Sequence, residues 1–314
     1  MNRRLAATIP VLASAALFFP GLLSGGPDEP GFTIRSDVRL VLLDVSVKDR
    51  AGALVSGLSK ESFAVRENGR PQTITVFANE DLPVTVGIVV DESASMRSKR
   101  TEVLTAAMTF VKESNAQDEI FILNFNDKVK RGLPEGVLFS DNTQQLRDAL
   151  YRGAPQGKTA FNDAVIAGLK QLQLGRRDKK TLVVISDGGD NASQHTRKEM
   201  LAMADGSIAT IYTIGIYDAD DPDRDPGILR ELARISGGEA YFPESLDDMV
   251  PVCQRIAKDI RARYTLGYVP KADNGAGSLR HISVHVSAPG RGKLTAHTRT
   301  SYRYEEIASQ EKAK

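Results

Sequence analysis

Three oxygen-bearing side chains stand on alternate positions directly after an apolar run. The segment at residues 84–96 reads VTVGIVVDESASM, and its apolar run stops at Asp91, which is followed by Ser93 and Ser95. Alternate side chains of an extended segment share a direction, so these three groups can converge on one point. Carboxylate and hydroxyl oxygens suit a hard divalent cation. The segment therefore predicts part of a cation site.

Two later segments supply oxygen atoms at comparable places. Thr159 lies in GKTAFND, just before a predicted helix, and Asp187 directly follows the apolar run TLVVIS. With the first segment they offer two carboxylates and three hydroxyls, without thiolate or imidazole. This set suits Mg²⁺, which tolerates few carboxylates and keeps several waters. Mn²⁺ and Ca²⁺ remain alternatives.

The elements that must position these residues follow a regular alternation. From residue 84 to 260, short apolar runs typical of buried strands alternate with segments of helical periodicity. This pattern predicts an α/β fold with a doubly wound, mostly parallel sheet. Ligands of such sheets bind beyond the carboxyl ends of the strands, where Asp91 and Asp187 are expected to lie.

Strand-like sequence flanks the α/β region on both sides. Residues 33–83 have the patterns of β-strands, with a hairpin around Asn68 and Gly69, and strand-like patterns occur again over residues 263–304. We expect the two flanks to pair into one β-sandwich-like domain, into which residues 84–260 are inserted. Two separate small β units are the alternative, although each would be short of strands.

The first 26 residues predict export. They begin with MNRR, continue with an uncharged apolar stretch, and end in small and polar residues. This order is typical of a secretory signal peptide. An uncleaved anchor is the alternative, and contact with a membrane is expected only in that case. At the other end, residues 305–314 predict a polar tail.

Charge and cysteine content restrict the function further. Forty-one basic and 40 acidic residues give a net charge of +1, so no broad field attracts nucleic acid or an anionic membrane. Cys253 is the only cysteine of the chain, which excludes an internal disulfide. Its helical surroundings predict a buried, unreactive thiol.

The order of these motifs resembles the metal-ion-dependent adhesion site of von Willebrand factor A domains. That family combines an Asp-x-Ser-x-Ser motif with a distant Thr and a distant Asp, and the resemblance spans residues 84–258. It implies that Ser93, Ser95 and Thr159 touch the metal directly, whereas Asp91 and Asp187 act mainly through water. It also implies a protein partner that donates an Asp or Glu to the ion. The flanking segments resemble a group of exported bacterial proteins with related domains.

Simpler interpretations exist for each part. Serines are common caps at helix starts, and Asp187 before two glycines is typical of a turn. Glu92 is expected to point away from the ligand positions. Asp163, one helical turn after Thr159, is expected either to orient it or to lie on a solvated face. The acid-rich segment 217–227 lacks the spacing of a helix–loop–helix calcium site and predicts a solvated loop.

Two other functions compete with a non-enzymatic binding module. A metal-dependent hydrolase needs a base near the ion, and His195, eight residues after Asp187, is the candidate. A lone histidine entering a helix is more typical of a polar surface residue, and the chain lacks a Gly-x-Ser-x-Gly elbow or a phosphate-binding glycine loop. A scaffold whose metal only holds loops together needs the same ligands, but its partner binding would survive chelation.

Overall fold

The computed structural model describes residues 40–217, 222–271 and 279–304. The predicted signal peptide and the polar tail lie outside the described residues. Within the described ranges, no helix is long and apolar enough to cross a membrane.

Fourteen strands and six α-helices make up the described part of the chain. In chain order they are β1 (Val41–Lys48), β2 (Phe63–Glu67), β3 (Arg70–Gln72), β4 (Ile74–Ala78), β5 (Val84–Asp91), α1 (Arg100–Glu113), β6 (Glu119–Phe125), β7 (Val129–Arg131), α2 (Thr143–Tyr151), α3 (Phe161–Leu172), β8 (Lys179–Ser186), α4 (Arg197–Gly206), β9 (Thr210–Gly215), α5 (Pro226–Ser236), β10 (Ala240–Tyr241), α6 (Met249–Ala262), β11 (Tyr264–Tyr268), β12 (Leu279–Val286), β13 (Thr295–His297) and β14 (Ser301–Arg303).

A six-stranded sheet forms the centre of the α/β region. Its order is β10-β9-β8-β5-β6-β7, and every pairing is parallel except that of β6 with the edge strand β7. All residues of β5, β6 and β9 are buried, because helices cover both faces of the sheet. Helix α1 packs against α2 and α6, whereas α3 packs against α4, which in turn contacts α5. The predicted doubly wound α/β fold is confirmed.

The close packing of the central strand depends on a glycine. A Cβ atom at Gly87 would lie 2.3 Å from the ring of Phe121 on the neighbouring strand. Since the Phe121 side chain is fully buried there, no larger residue fits at position 87 without a shift of the sheet core.

Strands from both flanks share two antiparallel sheets. One has the order β13-β1-β11-β4 and the other β14-β12-β2-β3, so strands that precede the α/β region pair with strands that follow it. Their inner faces bury one apolar cluster, whose members include Leu43, Val45, Phe63, Tyr264 and Ile282. The β2–β3 hairpin turns at Asn68 and Gly69, where φ is 48° and 79°, as a two-residue turn of type I′ requires.

A buried arginine ties the β-sheets to the α/β region. Arg263, between α6 and β11, donates hydrogen bonds to the carbonyl oxygens of Asp44 (2.9 Å), Gly237 (2.8 Å) and His297 (3.3 Å). Its carboxylate partner Asp259 lies 3.5 Å away and is also buried. We refer to Arg263 and Asp259, with the strands they contact, as the interdomain clasp.

The clasp continues through two hydroxyl groups. Asp259 accepts hydrogen bonds from Ser46 of β1 and from Tyr212 of β9, the latter at 2.5 Å. Nearby, the ammonium of Lys179, at the start of β8, lies 3.8 Å from the Asp44 carboxylate. The β-sheets therefore attach near the amino ends of the parallel strands.

Candidate metal centre

Asp91 is held rigidly at the carboxyl end of β5. The carboxylate is buried, and its Oδ1 atom accepts a hydrogen bond of 2.8 Å from the backbone N–H of Ser93. Its Oδ2 atom accepts one of 2.6 Å from the hydroxyl of Ser186, at the end of the neighbouring strand β8. Both oxygen atoms are therefore fixed by groups at the same edge of the sheet.

The two serines of the motif converge with Asp187. The Ser93 and Ser95 hydroxyl oxygens lie 3.0 Å apart, and the Ser95 hydroxyl donates a 2.6 Å hydrogen bond to Asp187 Oδ2. Asp187 Oδ1 in turn accepts the backbone N–H of Gly189 at 2.9 Å. The turn after Asp187 needs Gly188, whose φ of 84° lies in the left-handed region. The structure thus joins the end of β5 to the end of β8 through hydroxyl and carboxylate groups.

Thr159 is brought to the same edge by its backbone. Its N–H donates to Asn191 Oδ1 at 2.9 Å, and its carbonyl accepts the backbone N–H groups of Asn191 (2.9 Å) and Ala192 (3.1 Å). Thr159 therefore borders the loop that follows Asp187. Within the described residues, its buried hydroxyl has no hydrogen bond to the other four predicted site residues.

The electrostatics of this cluster fit a bound cation. Burial, followed by the charge of nearby Asp187, raises the pKa of Asp91 to about 7, although hydrogen bonds from Ser186 and Ser93 act in the opposite direction. Two such carboxylates repel each other, and a divalent ion beside them would favour the charged form of both. No group of three or more His, Cys, Asp or Glu side chains suited to a metal occurs in the described part of the chain. The structure brings the oxygen atoms of Ser93, Ser95 and Asp187 together, with Asp91 behind them, and hydroxyl and carboxylate oxygens are donor types that suit Mg²⁺.

Glu92 points away from the cluster, as expected, and has a role that the sequence did not indicate. Its buried carboxylate pairs with Arg100 at 3.2 Å. Arg100 also donates to the backbone carbonyls of Tyr151 (3.3 Å) and Gly153. The Glu92 carbonyl accepts the N–H of Gln156 at 2.9 Å. Glu92 and Arg100 thus fix the α2–α3 loop, which leads to Thr159.

Gly153→Ala should disrupt this arrangement. A Cβ atom at position 153 would lie 1.6 Å from Glu92 Oε2, so the carboxylate must move away from Arg100. We expect a loss of about 1–3 kcal/mol in the free energy of unfolding, measured by urea denaturation. Gly206→Ala is the matched control, because a Cβ atom there meets nothing within 4 Å. Equal stability of the two variants would contradict the proposed packing.

His195 and Asp163 form a pair outside the cluster. His195 Nδ1 lies 2.6 Å from Asp163 Oδ1, and the imidazole is exposed. Burial raises the pKa of Asp163, but hydrogen bonds from the backbone of Gln194 and from His195 outweigh it and lower the pKa overall. Asp163 therefore anchors the loop before α4, and no hydrogen bond joins it to Thr159 within the described residues.

The acid-rich segment is described only in part, since residues 218–221 lie outside the described ranges. Asp225 caps helix α5 by accepting the Ile228 N–H at 3.0 Å, and its other oxygen pairs with Arg197 at 2.9 Å. Asp223 accepts a 3.2 Å hydrogen bond from Asn191 Nδ2. The described acids of this segment thus support the loops around Thr159 and Asp187.

Comparison with known proteins identifies the class of this domain. Residues 86–189 match the family model of the von Willebrand factor type A domain, and the chain contains such a domain. Domains of this family generally serve as protein-interaction and adhesion modules.

Individual relatives are distant. An uncharacterized Synechocystis protein, sll0103, is 23% identical over 184 residues, which cover 56% of this chain and only 42% of the relative. The solved von Willebrand factor type A structure from Catenulispora acidiphila superposes with a TM-score of 0.52 at 13% identity, covering 87% of this chain and 76% of the other. The corresponding domain of the pilus tip protein Mfa5 from Porphyromonas gingivalis has a TM-score of 0.49 at 14% identity, covering 57% of this chain and 95% of the other.

Proposed function

We propose that this protein is an exported, non-enzymatic binding module that holds a divalent cation, preferentially Mg²⁺, and binds an acidic side chain of a partner protein. The observation that carries the proposal is the convergence of Ser93, Ser95 and Asp187 at the carboxyl ends of β5 and β8, with Asp91 buried behind them. Export rests on the predicted signal peptide.

The residue types set what the site can bind. Ser93, Ser95 and Thr159 are neutral ligands, so an ion that they hold keeps most of its positive charge for a carboxylate from outside. Asp91 and Asp187 orient the hydroxyls and balance part of that charge through water. The ion would supply the attraction, while the surrounding loops supply the specificity.

The surroundings of the cluster favour binding over hydrolysis. A hydrolase would need a base that faces the ion, and within the described residues the exposed His195 has no hydrogen bond to any of the five predicted site residues. Glu92, the remaining carboxylate within the motif, is engaged by Arg100.

Metal-dependent binding of a carboxylate tests the proposal. We would titrate the full chain with Mg²⁺ by calorimetry, and then with a short peptide that carries one aspartate among glycines and serines. The peptide should bind only with Mg²⁺, and EDTA should abolish its binding. Ser93→Ala and Thr159→Ala should each weaken binding by at least about tenfold, because each removes a direct ligand. The exposed Ser98 of the same segment provides the control variant Ser98→Ala.

Thermal melts of the same variants separate recognition from a scaffold role. Folded Ser93→Ala and Thr159→Ala proteins that no longer bind would support a recognition site. Peptide binding that survives EDTA, or unfolding of both variants, would instead indicate a structural metal. A folded parent chain that binds no Mg²⁺, even with the peptide present, would exclude the metal site.

A further inference from the structure

Five exposed basic residues lie on the loops and on the edge strand β7 at one side of the candidate metal centre. We name this set the basic rim, and its members are Arg97, Lys128, Lys130, Arg152 and Lys158. Arg97 follows Ser95 by two positions, and Lys158 immediately precedes Thr159. The rim thus begins within two residues of the predicted metal ligands.

Hydrogen bonds hold the three loops of the rim together. Arg97 reaches from the motif loop to the carbonyl of Pro155 at 3.5 Å. The N–H of Lys158 donates to Asp127 Oδ1 at 3.2 Å, which joins the α2–α3 loop to the turn between β6 and β7. Lys130, on β7, lies close enough to Glu92 to counteract part of the pKa increase that burial causes there. The chain segments that carry the five residues are therefore next to one another.

The charge of this surface is mostly positive. Residues 93–99, 126–130 and 151–159 contain one acidic residue, Asp127, against the five rim residues and the buried Lys99. Because the net charge of the whole chain is only +1, this is a local concentration. A partner segment rich in acids would meet favourable charges along this side.

The loop on the opposite side of the centre does not share the positive charge of the rim. Residues 187–196 contain two aspartates and no lysine or arginine. The arginines nearby are engaged, since Arg197 pairs with Asp225 and Glu231, and Arg224 lies 5.1 Å over the ring of Tyr217. Residues 187–196 thus offer an acidic segment no basic side chain, so favourable charge is concentrated on the rim side.

An exposed aromatic residue adjoins the rim. The Tyr151 side chain is 48% exposed at the end of α2, and the Arg147 guanidinium lies 5.8 Å from its ring centre. Arg100 holds the Tyr151 carbonyl, which fixes the backbone at this position. Tyrosine and arginine are enriched in protein interfaces, where rigid aromatic anchors contribute much of the affinity.

We infer that the basic rim binds acidic residues that flank, on one side, the carboxylate donated to the metal, so that the partner is a protein segment with a one-sided run of Asp or Glu. This inference rests on the proposed function, because the donated carboxylate sets the position of the segment. Single exposed ion pairs contribute little, and several together act mainly on the rate and specificity of association.

Two peptides compared on the same protein test the rim. The first carries a single aspartate among glycines and serines, and the second carries the same aspartate followed by four glutamates. In the parent chain with Mg²⁺ at low salt, the glutamates should tighten binding about tenfold, and the gain should shrink as NaCl is added. In Lys128→Glu/Lys158→Glu the gain should fall below about threefold. Because both peptides are measured on the same variant, any effect of the new charges on Mg²⁺ binding cancels in the ratio of the two peptide affinities.

The matched control reverses two exposed lysines elsewhere in the same domain. Lys112 and Lys170 lie in the last turns of α1 and α3, and Lys112→Glu/Lys170→Glu should keep the parent ratio. If the rim variant keeps the parent ratio of the two peptide affinities and still binds the single-aspartate peptide, the inference about the basic rim is wrong and the proposed metal site stands. Failure of Mg²⁺ to bind the folded parent, even with either peptide present, would overturn both proposals. Glutamate-dependent binding that persists with EDTA would show a rim that acts independently of the metal, contrary to the inference.

Discussion

Asp187→Asn should stabilise the metal-free protein at pH 8 while weakening its affinity for Mg²⁺. Burial and the charge of Asp187 raise the pKa of Asp91 to about 7, so above that pH the metal-free protein holds two repelling carboxylates. The asparagine removes one charge and keeps an oxygen acceptor for the Gly189 N–H. We expect a gain of about 1 kcal/mol in the free energy of unfolding with EDTA present, and a loss of about tenfold or more in Mg²⁺ affinity.

The pH dependence of stability has a defined sign. Because the folded state raises the pKa of Asp91, it favours the protonated form of that carboxyl. The contribution of Asp91 to stability is therefore fully present below about pH 4, the ordinary pKa of an aspartate, and is lost as the pH rises through about 7. The decrease should be smaller in Asp187→Asn, and Mg²⁺ should offset it in the parent chain, since the ion replaces the proton.

Urea unfolding at pH 5 and pH 8, with EDTA and with Mg²⁺, measures both effects. Asp141→Asn, which removes an exposed carboxylate, is the control and should change neither stability nor Mg²⁺ affinity measurably. A metal-free Asp187→Asn protein less stable than the parent at pH 8 would contradict repulsion between the two carboxylates. Unchanged Mg²⁺ affinity would remove Asp187 from the metal site.

Arg263→Met should cause the largest loss of stability among the changes considered. The substitution removes the partner of buried Asp259 and leaves the carbonyls of Asp44, Gly237 and His297 without their donor. Breaking a buried ion pair from one side typically destabilises a protein by about 3–5 kcal/mol. Urea denaturation measures the effect, and Arg255→Met, at an exposed position of α6, should stay within about 0.5 kcal/mol of the parent.

A double variant keeps this prediction testable if the single variant fails to fold. Arg263→Met/Asp259→Leu removes both charges, and replacing a buried pair with apolar residues is often nearly neutral. The double variant should therefore be more stable than Arg263→Met. If it is less stable, the hydrogen bonds from Ser46 and Tyr212 to Asp259 stabilise the clasp more than the ion pair does.

Local patterns in the sequence predicted the fold and the edge where the candidate site lies. Buried parallel strands are short apolar runs, and the first polar residues after them lie at one edge of the sheet, which is why Asp91 and Asp187 could be placed together. The segment after Asp91 differs from the expectation of an extended chain, because Ser95 lies in a 3-10 helix over Ala94–Lys99 that begins directly after Ser93. This turn, and not strand periodicity, places the two hydroxyl oxygens 3.0 Å apart.

Contacts between distant segments could not be predicted in this way. Glu92 and Arg100 are eight positions apart, and only the path of the α2–α3 loop shows why their pairing matters. Arg263 follows another arginine near the end of a charged helix, where a solvated side chain is the usual expectation, yet it is buried because strands from both flanks close over it. A sequence pattern shows which face of a helix or strand is apolar. It does not show which charged side chain is buried by segments that are distant in the sequence.

The attachment of the β-sheets near the amino ends of the parallel strands has a mechanical consequence. The chain enters the α/β region through β5 and leaves it through α6, whereas the candidate metal centre lies at the carboxyl ends of β5 and β8. Tension between a partner held at the centre and the β-sheets would run lengthwise along the central strands. Load in that direction shears many interstrand hydrogen bonds at once instead of unzipping them one by one.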